Sequence, residues 1–277
     1  MKLYRTQKGI LIQVADNYYL SETDWDALIN AENLYNKLEE WCKVAPPIFN
    51  PEAFLGEDLL PPVGSQEIWA SGVTYFNSKL ARQEESKNAG GGIYYENVYH
   101  AERPELFFKS TPQRVVGHGQ PVRIRKDSTW DVPEPELTLV INSKGKIVGY
   151  TVGNDMSSRS LEGENPLYLA QAKIYDGSAA IGPCVLVVKE PFDMNNHIRL
   201  QVSRTGDLIF EESISLNQMK RTPGELVDFL FRETSFPQGC LLMTGTGIVP
   251  SNDFTLQKGD EIKITIDTIG TLVNVVG

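Results

Sequence analysis

The feature that most constrains this chain is a succession of short strand-like segments that turns separate and helices do not. Glu136 to Ile141, Ile147 to Gly153, Cys184 to Val188, His197 to Arg204, Leu208 to Ser215, Cys240 to Gly245 and Glu261 to Val276 are rich in aliphatic and β-branched residues. Gly, Pro, Asn and Asp punctuate them. A further strand is expected from Ile68 to Thr74. One helix interrupts the series: Thr222 offers a capping hydroxyl, Pro223 suits the first helical position and Glu225 the third, ahead of Leu226, Val227, Phe229 and Leu230. Parallel doubly wound sheets and (β/α)8 barrels need a helical crossover after each strand, and this chain does not supply them. The expectation is a mixed α/β, β-rich fold: a sandwich, roll or barrel with peripheral helices.

A chain of 277 residues, 41% of them hydrophobic, can bury a sizeable core. Residues 3 to 20 read as one or two strands around Gly9 and Asp16-Asn17. Ser21 with Asp24 then resembles a cap, and Trp25, Leu28, Ile29, Leu34, Leu38 and Trp41 recur at helical spacing to about Lys43, predicting one long packing helix. Pro61-Pro62-Val63-Gly64 marks a boundary, so residues 1–63 are expected as a small N-terminal α/β domain and 64–277 as the catalytic domain. Residues 77 to 101 turn polar before Gly90-Gly91-Gly92, Tyr94 and Tyr95, a composition that suits a mobile lid or an idle surface loop.

Charge and cysteine content narrow the partners. A formal charge of −10 repels phosphate backbones and anionic bilayers, so neither nucleic acid nor membrane is expected. No apolar run approaches the roughly 20 residues of a spanning helix. Cys42, Cys184 and Cys240 lie too far apart for a CxxC motif and are too few for a disulfide scaffold, which points to a reducing cytoplasm.

The strongest chemical signal is Asp131-Val132-Pro133-Glu134-Pro135-Glu136-Leu137. Glu134 and Glu136, two apart where a strand begins, face the same side of a sheet. The return strand from Lys146 ends at Gly153-Asn154-Asp155. With the turn centred between Ser143 and Lys144, Glu134 lies opposite Gly153 and Glu136 opposite Thr151. Asp155 then falls on the same face, on a diagonal of about 7–8 Å from Glu134. Three converging anions call for a cation, and an all-oxygen donor set favours Mg²⁺, then Mn²⁺ or Ca²⁺, over zinc. Spacing alone is equally compatible with a solvent-facing edge strand, and an odd-length turn would flip the register.

Glu134-Pro135-Glu136-Leu137 followed by Gly149-Tyr150-Thr151-Val152-Gly153-Asn154-Asp155-Met156-Ser157 resembles the signature of the fumarylacetoacetate hydrolase superfamily. Gly72-Val73-Thr74-Tyr75, Leu106-Phe107-Phe108-Lys109, Lys173-Ile174-Tyr175-Asp176 with Ile181-Gly182-Pro183, Met243-Thr244-Gly245-Thr246-Gly247 and Ile269-Gly270-Thr271-Leu272 follow in the family's order, covering roughly residues 68 to 277. The resemblance implies a mixed β-sandwich roll, Mg²⁺ held by Glu134, Glu136 and Asp155, and a homodimer or dimer of dimers. Tyr99, Arg103 to Lys109, Val116-Gly117-His118-Gly119, Glu164 to Leu169 and Thr244 to Pro250 resemble a branch that dehydrates 2-keto-3-deoxy sugar acids. The family's C–C bond hydrolases place a water-activating His three residues after the Tyr of the first block, where this chain has Ser78.

A small 2-keto acid substrate follows, chelated through its carboxylate and keto oxygen so that an enolate becomes accessible. Loss of the C4 hydroxyl gives dehydration, and a five-carbon acid would yield 2-oxoglutarate semialdehyde. Acylpyruvate or diketo-acid hydrolysis and oxaloacetate decarboxylation are alternatives on the same metal site. Glu105 interrupts an apolar run, where the hydrolases commonly carry an apolar residue, and is the candidate acid/base. Lys173 matches the family's active-site lysine. Arg159, Glu162 and Thr246 match substrate-contact positions, and Ser78 would either bond a substrate hydroxyl or cap a short helix. His100, His118 and His197 are expected to be structural.

Overall fold

The computed structural model describes residues 1–56, 58–85 and 92–277. Its largest sheet has ten strands. In spatial order these are β3 (Asn17–Ser21), β2 (Gly9–Val14), β1 (Lys2–Thr6), β12 (Ala179–Leu186), β10 (Ile147–Asp155), β9 (Pro135–Ile141), β15 (Cys240–Met243), β4 (Glu67–Gly72) and β5 (Glu105–Ser110), with β6 (Val115–Val116) beside β12. A second sheet runs β14 (Asp207–Ser215), β13 (His197–Arg204), β16 (Glu261–Ile266), β17 (Gly270–Val276) and β7 (Pro121–Val122). A two-stranded ribbon joins β8 (Asp131–Val132) to β11 (Ser157–Ser158). The expected strand-rich mixed α/β fold with peripheral helices is what the chain adopts.

Alternation along β9 shows why the sheets stack. Leu137, Leu139 and Ile141 enter one core with Ile198, Leu200 and Val202 of β13 and Ile262, Ile264 and Ile266 of β16. Val140, on the opposite face, enters a second core with Ile68, Ala70, Ile181, Val185 and Leu241 beneath Trp25, Ile29, Leu34 and Leu38. With both faces covered, every residue of β9 is buried, and a hydrophobic core this extensive is the main source of stability.

The long N-terminal helix expected from Ser21 to Lys43 is broken. Asp24, not Ser21, caps α1 (Trp25–Ile29), its carboxylate accepting from the Ala27 N–H at 3.0 Å. The chain then turns through Asn33 at φ +54°, a left-handed conformation that Asn tolerates, before α2 (Leu34–Val44). Both pieces still bury the predicted apolar residues, because a break after Ile29 leaves each half with its own stripe. Residues 2 to 21 form three strands, one more than expected, and Lys2 and Leu3 pair with Leu186 and Val185. The segment before Pro61 therefore continues the large sheet. A short α3 (Glu52–Leu55) follows.

The segment read as a lid carries two helices, α4 (Phe76–Glu85) and α5 (Gly92–His100). Gly90 and Gly91 of the triple-glycine run lie outside the described residues. Beyond the hairpin come α6 (Arg159–Glu164) and α7 (Leu169–Lys173). The last helix, α8 (Pro223–Leu230), starts as its sequence dictates: the Thr222 hydroxyl accepts from the Glu225 N–H at 3.2 Å. Among the described residues no helix is long and apolar enough to cross a membrane.

Candidate active site

The β9–β10 hairpin brings the three acids together, by a register different from the one expected. Its loop is odd: Asn142 N–H bonds Lys146 O at 3.0 Å around Ser143, Lys144 and Gly145, with Gly145 at φ +71°. Alone, that would turn Asp155 to the opposite face from Glu134. A bulge restores the parity. Ile147 pairs with Ile141 but Gly149 with Val140, so Val148 is an extra residue, and beyond it Gly153 lies opposite Glu136. Asp155 is then directly across from Glu134, its N–H bonding Glu134 O at 3.0 Å, rather than on the diagonal. Ligand oxygens of Glu134, Glu136 and Asp155 lie within 4.8 Å of one another, and all three residues are buried.

Among the described residues, four cations surround them. Lys173, fully buried at the end of α7, donates to Glu134 Oε2 at 2.5 Å and Ser157 Oγ at 2.6 Å, and approaches Asp155 Oδ2 at 3.2 Å and Glu162 Oε1 at 3.4 Å. Arg159, the first residue of α6, donates from Nη2 to Glu134 Oε1 at 2.9 Å. Its helix is held by the Ser158 hydroxyl at the N-cap. Arg82 of α4 contacts Glu162 and lies 3.7 Å from Glu134 Oε1. Lys109 of β5 contacts Asp155 Oδ1 and donates to Met156 O at 3.0 Å.

Burial and crowding set the protonation chemistry. Burial, with Asp155 and Glu134 adding repulsion, pushes Glu136 well above the usual carboxylate range. Glu134 is raised by burial, against the pull of Lys173 and Arg82. Glu162 goes the other way: burial opposes ionisation, but Arg82, Lys173 and Arg159 hold its pKa down to about 2. Burial works against the charge on Lys173, yet Asp155, Glu134 and Glu162 raise its pKa.

Every sequence-predicted site residue except Glu105 and Glu162 lines one narrow cavity, together with Ser71, Gly72, Val73, Arg82, Phe107 and Gly245. Glu162 stands behind it on Arg82 and Lys173. Glu105 pairs across β4–β5 with Gly72. A Cβ on Gly72 would come within 2.0 Å of Glu105 Oε2, so glycine there lets the carboxyl lie against the cavity wall. Burial raises the pKa of Glu105, while Arg82 and Lys173 lower it. The Ser78 hydroxyl both accepts from Tyr75 N–H at 3.2 Å and donates to Tyr75 O at 2.8 Å, fastening the first turn of α4 while facing the cavity. Thr246 follows Gly245, whose N–H donates to Glu136 Oε2 at 2.6 Å. Gly245 has φ +92° and packs on Thr74 and Ser71, leaving no room for a side chain.

The larger cleft of about 530 Å³ between Lys146, Tyr150, Phe192 and Pro223 lacks a comparable cluster of buried acids. The histidines stand outside the cavity: His118 Nδ1 accepts from Val273 N–H at 3.2 Å, and the exposed His100 and His197 lie beside Glu96 and Asp267. Arg82 and Lys109 escaped the sequence reading. Arg82 follows Ser78 by four residues, the spacing that puts both on one helical face, but the segment looked like loop. Lys109 stood within the recognised Leu106-Phe107-Phe108-Lys109 block as an unassigned member.

The donor set fits a hard divalent cation. It is all oxygen, and Asp155 Oδ1 is buried with no hydrogen-bond partner beyond its contact with Lys109 among the described residues. Five carboxylates, those of Glu105, Glu134, Glu136, Asp155 and Glu162, face four cations, Arg82, Lys109, Arg159 and Lys173. With all five carboxylates ionised, one divalent ion and one monoanionic acid would bring that cluster to neutrality.

Such a site on a strand-rich roll defines a metal-dependent enzyme acting on small oxygen-rich acids. The family model described as fumarylacetoacetate (FAA) hydrolase, C-terminal, matches residues 68–277, and the chain belongs to that family. It is 47% identical to a probable 2-keto-3-deoxyxylonate dehydratase of Haloferax volcanii, over 80% of this chain and 76% of that protein. It is 45% identical to the 2-dehydro-3-deoxy-D-arabinonate dehydratase of Saccharolobus solfataricus, over 78% of this chain and 73% of that protein. A solved structure of 2-keto-3-deoxy-D-arabinonate dehydratase complexed with magnesium and 2,5-dioxopentanoate superposes with a TM-score of 0.83 at 35% identity, covering 100% of this chain and 98% of that one.

Proposed function

We propose that this chain is a Mg²⁺-dependent dehydratase that converts a 2-keto-3-deoxypentonate to 2-oxoglutarate semialdehyde, which is 2,5-dioxopentanoate, and water. The observation that carries the reading is a carboxylate triad suited to a metal beside a separate carboxyl, Glu105, whose pKa is raised, in a chain nearly half identical to dehydratases of such acids.

Glu134, Glu136 and Asp155 hold the ion. When bound there, Mg²⁺ supplies Lewis-acid polarisation of the 2-keto acid, which makes its C3 hydrogens acidic. Lys173, kept protonated by the acids around it, adds fixed positive charge where negative charge develops on the substrate oxygens. Glu105 takes the C3 proton and returns it to the C4 hydroxyl, which leaves as water, so atoms and charge balance over the step. A carboxyl with a raised pKa suits a group that must exist in both forms. The C3–C4 alkene then tautomerises, with C5 becoming the aldehyde. Ser78 and Arg82 on α4 orient the hydroxylated end, while Arg159 and Thr246 receive the carboxylate, with Glu162 holding the guanidinium groups in place.

All of these residues fall within 64–277, the part proposed as catalytic, and none within 1–63. The proposal extends to a homodimer or dimer of dimers in a reducing cytoplasm, the latter suited to three free cysteines. The test is incubation of the protein with Mg²⁺ and racemic 2-keto-3-deoxypentonate, with products identified by mass. A product lighter by one water, lost with EDTA and in Glu136→Ala, is expected; release of pyruvate would overturn the reading in favour of C–C cleavage.

A further inference from the structure

We propose that Arg221 is a positioning residue: it fastens the exit of the α4–α5 helical pair and so sets Ser78 and Arg82 over the cavity. The inference rests on the dehydratase reading for its kinetic consequence. The last turn of any α-helix leaves carbonyls without intrahelical partners, and cations are favoured there by the helix dipole. In the last turn of α5 and the two residues after it, carbonyls go to two side chains from the segment just before α8. Arg221, 6% exposed, donates from Nη2 to Val98 O at 3.3 Å and Ala101 O at 2.5 Å, and from Nη1 to Glu102 O at 2.8 Å. Glu225 of α8 holds the same guanidinium at 2.5 Å. Lys220 donates to Tyr99 O and sits 4.5 Å from the Tyr99 ring centroid.

Lys220, the neighbour of Arg221, also reaches the entrance of the pair. The Lys220 N–H bonds Thr74 O at 2.8 Å, immediately after Val73, whose φ of +54° is uncommon for a β-branched residue. Thr74 is tied in turn through its hydroxyl to Thr244 O at 2.7 Å. Residues 220 and 221 therefore pin both stems of the helical pair at one point.

From that point the constraint passes to the cavity through side chains. Glu96 of α5 takes Lys79 at 3.0 Å and Gln83 Nε2 at 2.9 Å, both on α4. Tyr99 packs edge-on against Phe76 at 6.2 Å, with the Lys79 ammonium 5.1 Å from the Tyr99 ring. Lys79 and Gln83 flank Arg82, so α5 fixes the helix that carries Ser78 and Arg82. The carboxylate triad hangs from the β9–β10 ladder, so its backbone positions do not depend on this fastening, although Arg82 approaches Glu134 at 3.7 Å.

The experiment compares wild type with Arg221→Gln, Arg221→Lys and Lys220→Ala by three readouts: amide exchange across residues 92–100, Mg²⁺ affinity by calorimetry, and kcat and KM for 2-keto-3-deoxypentonate. In Arg221→Gln, α5 amides should exchange about tenfold faster or more, KM should rise about tenfold with kcat changed less than about threefold, and Mg²⁺ affinity should stay within about twofold. Arg221→Lys should recover part of both losses, and Lys220→Ala should show a smaller effect of the same kind. Unchanged exchange and KM in Arg221→Gln would overturn the proposal. So would a parallel loss of Mg²⁺ affinity, which marks general destabilisation. If wild type does not dehydrate the acid, the dehydratase reading falls, while exchange and Mg²⁺ affinity still judge the fastening.

Discussion

The three carboxylates of the metal triad and three of the four cations facing them are held by different forces. Glu134, Glu136 and Asp155 hang from neighbouring positions of one antiparallel ladder, where backbone hydrogen bonds and burial on both faces fix every residue. Arg82, Arg159 and Lys173 come from three separate helices, two of them only six and five residues long. These cations converge on the single carboxylate of Glu134, at 3.7, 2.9 and 2.5 Å. The sheet therefore defines where charge sits, and the helices are drawn to it. An acid can be expected to hold its place when a cation is lost, whereas the cations lose their common anchor when Glu134 is lost.

Removing a carboxylate should do most damage. Glu136→Ala is expected to lower turnover by at least about a thousandfold, more than about 4 kcal/mol of transition-state stabilisation, with a matching loss of Mg²⁺ affinity in calorimetry. Retention of a tenth of the activity would show that the ladder is not the essential half. Lys173→Met comes next. It leaves Glu134 short of its nearest partner, and urea unfolding in EDTA should report a loss on the order of 3 kcal/mol; a neutral result would mean that Arg82 and Arg159 suffice.

The third comparison uses pH. Burial raises Glu105 above its ordinary 4.5, so folding favours its protonated form. That contribution is complete below pH 4.5 and is lost as pH climbs through the raised value. The stability of wild type relative to Glu105→Gln should accordingly fall as pH rises from 4.5; a flat difference across urea titrations at several pH values would refute the assignment. Smallest is Thr222→Ala, which removes the cap of α8 and should cost about 1 kcal/mol with KM unchanged. A shift in KM would extend the fastening at Arg221 to α8, which follows it.

The sheet half was legible in the sequence because its logic is local. Two acids two residues apart, a turn and a returning acid suffice to predict convergence, even though the loop came out odd and Val148 had to correct it. Glu105 could be singled out because a charge in an apolar strand stands out. The helix half was harder to see. Arg82 lay in a stretch whose composition suggests loop, and its role depends on Glu162 and Glu134, which are distant in sequence. The N-terminal strands looked separable because Pro61-Pro62 punctuates the chain, yet nothing local shows that Lys2 and Leu3 will find Leu186 and Val185. The break at Asn33 was hidden by an apolar spacing that continues through it.

The bulge at Val148 has a consequence for how such a hairpin can vary. Twenty residues separate Glu134 from Asp155, and four of them are slack, three in the loop and Val148 beside it. Removing Val148 would iron out the kink while leaving Gly149 opposite Val140 and Asp155 opposite Glu134. The tip thus acts as a length reserve. Related chains can gain or lose a residue between positions 143 and 148 without turning any carboxylate around, and insertions or deletions in this hairpin should gather there rather than in the strands that carry the acids.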